Sequence, residues 1–212
     1  MLKKVIKNQD IFTPKDHKDL YRIAVLFRFI CLFSIACAVG VLMTSISEHS
    51  SDLSDSISSY FLSFAPISVS HFFKNLLHSS LFDLVLLAIT CLSALTFFCP
   101  AVLHLSGVIG GCMYGFCIGS IVYPDKIQTS FAICYIGFVF AFALLYTKAS
   151  AELSFINLKC LKRLRCAQNE KKLYISEEIK SFLKIVCKIA SSYFAIRFLY
   201  CLLLTLINIK NN

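Results

Sequence analysis

The sequence predicts an all-α polytopic membrane protein, a transmembrane bundle of about five helices with one further amphipathic helix at the interface. Three observations carry that reading. Hydrophobic residues make up 58% of the 212-residue chain against 16% charged, and mean hydropathy is +0.74. That is more apolar surface than a water-soluble core of this size needs. From Leu84 to Pro124 there is no Asp, Glu, Lys or Arg, a run about twice the roughly 20 residues one helix needs to cross the hydrocarbon. Lastly, fifteen of the 21 Lys and Arg residues fall in two segments, Met1–Arg22 and Lys148–Lys184. Positive charge collects on the cytoplasmic side of membrane proteins, so both segments are expected there.

The elements follow in order. Residues 1–21, with Lys3, Lys4, Lys7, Lys15 and Lys18, read as a basic cytoplasmic tail. Span one covers about 22–44 as an uncleaved start-transfer helix, since no small-x-small site follows it. Arg28 lies close enough to its basic end to snorkel to the headgroups. Ser45–Ser59 is Ser-rich and lacks Lys and Arg, as an external loop should. Over 66–79, Val69, Phe72, Phe73, Leu76 and Leu77 recur at helical spacing while Ser70, His71, Lys74, Asn75 and His78 fill the other face. This predicts a separate amphipathic helix on the outer leaflet or over the bundle.

Spans two and three, 81–99 and 101–123, are predicted as a hairpin folded at Cys99-Pro100, because Pro100 is the one proline inside the uncharged run. Tyr123-Pro124-Asp125-Lys126 makes an external turn. Span four covers 127–147, a basic cytoplasmic loop 148–184, and span five 185–209, so that residues 22–209 form one membrane domain. The N-terminus is then inside a bacterial cytoplasmic membrane and the C-terminus outside. Lys188 and Arg197 sit awkwardly in span five. A mid-membrane Arg costs about 2.5 kcal/mol or more, unless the helix is partly interfacial or Arg197 faces a polar groove.

A net charge of +9 can indicate nucleic acid. Here the basic residues flank apolar spans, so membrane lipid is the expected partner and nucleic acid is not. The cysteines lie mostly inside apolar spans, where Cys behaves as a small hydrophobe, and Cys160 with Cys166 lacks nearby His partners for zinc. His71 and His78 are two helical turns apart, about 10 Å by rise, too far to share one metal. No nucleophile elbow and no phosphate-binding glycine loop with a following Gly-Lys-Ser/Thr is present. No cofactor, metal or catalytic residue is therefore expected.

Two features remain. Asp83, His104 and Arg197 are ionisable groups inside spans, and such groups are functional hypotheses by default. Asp83 near the outer end of span two and His104 near the inner end of span three cannot form a direct dyad. Gly107, Gly111, Gly115 and Gly119 repeat every fourth residue, and with Pro100 at the hinge they predict a smooth face for close helix approach. That face either packs on span two or four, or receives another protein's helix or a second copy.

At this hairpin the chain resembles the stage II sporulation protein M family of bacterial integral membrane proteins. The residues carrying the resemblance are the apolar span ending at Cys99-Pro100, then Gly111-Cys-Met-Tyr-Gly115-Phe-Cys-Ile-Gly119. The specific part covers about 81–123, and the basic loop and the proline-free fourth span depart from the family pattern. The resemblance implies a non-enzymatic scaffold that anchors peptidoglycan-remodelling enzymes, the membrane-anchored cell-wall hydrolases known as sporulation proteins D and P, during engulfment. The alternative reading of the residues is a small transporter or permease subunit. It expects Asp83, His104 and Arg197 to converge on one polar cavity.

Overall fold

The computed structural model describes residues 14–46, 69–122, 129–166 and 171–211. They form five helices: α1 (Pro14–Ile46), α2 (Val69–Ser93), α3 (Cys99–Val122), α4 (Thr129–Cys166) and α5 (Lys171–Asn211). Each contains a stretch long and apolar enough to cross a bilayer. The chain is a multi-pass, all-α bundle.

The contacts set the helix directions. Residues 36, 37 and 44 of α1 meet Gly111, Gly115 and Gly119 of α3 in ascending order, so these two helices run parallel. Along α2 and α3, Thr90 meets Ser106 and Asp83 meets Tyr114, so that pair is antiparallel. Phe138 of α4 stacks on Tyr200 of α5 and Phe142 lies against Tyr193, again antiparallel. Thus α1, α3 and α5 point one way and α2 and α4 the other, as consecutive crossings require. The start of α1, the α2–α3 turn and the far ends of the α4–α5 pair share one end, which carries most of the Lys and Arg.

Three boundaries differ from expectation. The amphipathic stretch 66–79 is not a separate interfacial helix: from Val69 it is the first part of α2, which runs unbroken to Ser93. No Gly or Pro interrupts 69–93, Ser79 and Ser80 bond back to the carbonyls of Leu76 and Leu77, and Phe72 packs on Phe198 of α5. The α5 contact is made by the apolar face, while Ser70, Lys74 and His78 of the polar face remain exposed.

The second difference is that α2 ends at Ser93, not Cys99. Bonds of the tighter i→i+3 kind link Ala94 to Cys91, Leu95 to Leu92 and Thr96 to Ser93, which closes the helix before the hinge. Asn157 of α4 then donates to the carbonyls of Ala94 and Thr96 at 2.9 and 2.7 Å. Pro100 falls in the first turn of α3, where a missing N–H costs nothing.

The third is that the segment 148–184, expected as a loop, is helical on both sides of residues 167–170. Helix α4 continues to Cys166 and α5 begins at Lys171. With 41 residues, α5 is about 60 Å long. Lys188 then lies about 35 Å from its far end, at the basic rim rather than in mid-membrane.

The most extensive helix contact joins α1 to α3. A Cβ on Gly111 would sit 2.7 Å from the Ala36 methyl and 2.7 Å from the Phe33 carbonyl oxygen, one on Gly115 would run into the Cys37 carbonyl, and one on Gly119 into Thr44 Oγ1. Reciprocally, a Cβ on Gly40 of α1 would strike the Cys112 carbonyl. Gly111, Gly115 and Gly119 therefore pack on span one rather than on span two or four, while Gly107 lies between Leu32 of span one and Tyr146 of span four, so within this chain the face is occupied.

Candidate functional site

Helices α2 to α5 meet around one polar cluster. Asp83 faces inward from α2 because Leu86, Leu87 and Thr90 share its buried side. In α5, Tyr193 and Arg197 are one helical turn apart and project from the same face. Tyr114 comes from α3 and Phe138 from α4.

Tyr193 donates to Asp83 Oδ2 at 2.9 Å, and the Tyr114 hydroxyl donates to Asp83 Oδ1. Arg197 Nη1 lies 3.5 Å from Asp83 Oδ2, with the two side chains 5% and 4% exposed. The guanidinium also donates through Nη2 to the Ser79 carbonyl, and it lies 4.6 Å from the Phe138 ring centroid and 5.2 Å from that of Tyr200. A buried carboxylate is costly unless paired and hydrogen-bonded, and the same holds for a buried guanidinium. Here every charge has both kinds of partner.

The cluster borders a cavity of about 300 Å³ lined mainly by Phe82, Met113, Cys117, Ile121, Tyr135 and Phe138, with Asp83 and Arg197 in its wall. Tyr114 is eight residues from the end of α3, about 12 Å, so the cavity opens in the half of the bundle away from the basic end.

Arg197 thus faces a polar groove, and Asp83 is its counter-charge. His104 does not join them. It sits ten residues before Tyr114, about 15 Å toward the α2–α3 turn. There its Nδ1 is 2.5 Å from the Pro100 carbonyl oxygen and its ring centroid is 5.1 Å from that of Phe29. Nearer that end, a second polar layer links Ser106 and Tyr146 at 2.6 Å, with the Tyr146 hydroxyl 2.9 Å from the Leu103 carbonyl.

Tyr114, Tyr193 and the Ser79 carbonyl were not anticipated from the sequence. A depth argument would have found the pair. Asp83 is 14 residues from the start of α2 and Arg197 is 14 from the end of α5, in helices that run antiparallel. Taking span two to begin at Leu81 put Asp83 at the membrane edge and hid that match.

Among the described residues, no group of three His, Cys, Asp or Glu is placed to hold a metal. No protein-family model, curated protein or solved structure matches this chain.

Proposed function

We propose that the protein is a non-enzymatic membrane scaffold, a bundle that holds partner proteins in one complex. The cell-wall hydrolases of sporulation engulfment are the partners its hairpin resemblance implies. The observation that supports this reading is the mutual pairing of charges within the polar cluster. Asp83 has two phenol donors and a guanidinium, and Arg197 has a carboxylate, a carbonyl and two rings. These groups act on one another and tie helices together, which suits a platform of fixed shape. Of the external segment Ser45–Ser80 that would meet partners, residues 47–68 lie outside the described residues.

A second reading, a small transporter or permease subunit, is favoured by the cavity. Two of the three residues such a pathway would use, Asp83 and Arg197, lie in its wall.

One experiment separates the two. A buried ion pair replaced on both sides by apolar residues of similar bulk often keeps its fold, so the double variant Asp83→Leu/Arg197→Met removes the charges without leaving one stranded. Tagged wild type and variant are purified from gently solubilised native membranes, and co-eluting proteins are identified by mass spectrometry. A scaffold retains the same cell-wall hydrolases in both. Absence of hydrolases from the wild-type eluate rejects the scaffold. A nucleotide-binding or solute-binding protein in their place, with function lost in a stably folded variant, establishes the transport reading.

A further inference from the structure

A second cavity, of about 400 Å³, opens at the opposite, basic end of the bundle. Its wall is shared by α1, α4 and α5: Arg22, Ile23 and Leu26 from the first, Lys148, Ala151, Glu152, Phe155, Ile156 and Lys159 from the second, Ile185 from the third. None of these residues takes part in the polar cluster around Asp83.

The composition of this wall is that of an amphiphile site. Lys148, Glu152, Phe155 and Lys159 are spaced i, i+4, i+7, i+11 and share one face of α4. The Arg22 guanidinium is held toward that face by stacking on Phe155, 5.0 Å from the ring centroid, and Tyr21 braces the same ring edge-on at 5.4 Å. Three cations and one carboxylate, Glu152, therefore line the cavity, leaving an excess of positive charge. Among the described residues none of these four side chains forms an ion pair. Beneath them Ile23, Leu26, Ile156 and Ile185 give an apolar floor.

The depth is also right. Arg22 is 22 residues from Thr44, about 33 Å, and Lys148 is 19 residues from Thr129, about 28 Å. A hydrocarbon core is about 30 Å thick, so when the outer ends of α1 and α4 lie at one surface, these two cations lie at the other boundary. Lys159 lies eleven residues further along α4, about 16 Å beyond Lys148, and still lines the cavity. Basic pockets between membrane helices at this level bind phosphate-bearing headgroups.

We infer that the α1–α4–α5 cavity lined by Arg22, Lys148 and Lys159 is a binding site for a phosphate group, that of an anionic phospholipid whose acyl chains lie on the Ile23–Leu26–Ile156–Ile185 wall. Arg22 supplies the planar fork suited to phosphate, and the two lysines supply point charges on flexible stems. Glu152 offsets the mutual repulsion of the cations and disfavours a headgroup of high negative charge.

The test uses the full chain in a neutral detergent and follows its thermal unfolding. A ligand that binds only the folded state raises the midpoint with concentration. Phosphatidylglycerol is titrated against phosphatidylcholine and against inorganic phosphate. The expected result is a saturable rise with phosphatidylglycerol, none with the zwitterionic lipid, and a weak one with phosphate alone. Arg22→Gln, Lys148→Gln and Lys159→Gln should each weaken the apparent affinity roughly fivefold. A control variant neutralising Lys180, Lys184 and Lys188, which do not line the cavity, should keep the wild-type response. Equal responses to both lipids overturn the inference, as does an equal loss in the control variant. A phosphate response as strong as that to phosphatidylglycerol overturns the lipid as source and leaves a site for free phosphate. Should one of the Gln variants fail to fold, the other two and the control decide the outcome.

Discussion

Where α1 meets α3, no side-chain hydrogen bond crosses the seam among the described residues. Where α2 meets α5, a carboxylate, a guanidinium and a phenol do. The first seam relies on the absence of side chains. Gly111, Gly115 and Gly119 lie against Ala36, Cys37 and Thr44, while Gly40 lies against Cys112, so two backbones come close enough for extended van der Waals contact. In lipid this is a main source of helix association, because the hydrocarbon is as apolar as the side chains. The second seam relies on polar groups that have no better partner in an apolar medium. One arrangement tolerates no added atom, and the other tolerates no removed charge.

That contrast can be broken at either seam. The largest effect is expected from Arg197→Ala, which leaves Asp83 buried without its counter-charge: a loss of about 3–5 kcal/mol, read as a large drop in the thermal midpoint. Gly115→Ala adds one methyl, directed at the Cys37 carbonyl, where backbone rather than a flexible side chain must move. A loss of about 1–3 kcal/mol is expected, with α1 most affected in hydrogen exchange. Gly115→Leu acts on this packing before it acts on any partner, so loss of a complex in that variant reports the fold.

Smaller effects sharpen the comparison. Tyr193→Phe removes one donor to Asp83, a hydrogen bond to a charged group, with an expected cost of about 1.5 kcal/mol in the same unfolding assay. Asp83→Leu/Arg197→Met should fall within about 1 kcal/mol of wild type, far less than Arg197→Ala alone. If it costs as much as the single change, the ion pair contributes net stability rather than mutual compensation. Gly137→Ala is the negative control for the glycine seam. Nothing lies within 4 Å of its added Cβ, and helix propensity then favours Ala by up to about 1 kcal/mol. A destabilising result there would mean that α4 has a close neighbour outside the chain.

The two seams also differ in how far they could be read in advance. The repeat of glycine every fourth residue in 107–119 announces a smooth helix face, because periodicity and side-chain size are properties of the chain alone. Its partner was missed although the matching signal was present: Ala36, Gly40 and Thr44 are also four apart. Two small-residue stripes in helices that run the same way could have been paired. Periodicity alone leaves spans two and four, another protein's helix or a second copy as equal candidates for that face.

The sequence by itself determined that this is a five-helix membrane protein, because apolar length against bilayer thickness leaves few other outcomes. The same sequence placed its cations at one end of alternating spans. Only the tertiary structure decided that 69–79 belongs to α2, since its apolar face, through Phe72, packs on Phe198 of α5. The same is true of Asp83 and Arg197, 114 residues apart, which find each other through matched depth in antiparallel helices. It also left His104 out of that cluster, about 15 Å nearer the hairpin turn. Local spacing dictates which face a residue takes. Which helix covers that face depends on the packing of all five.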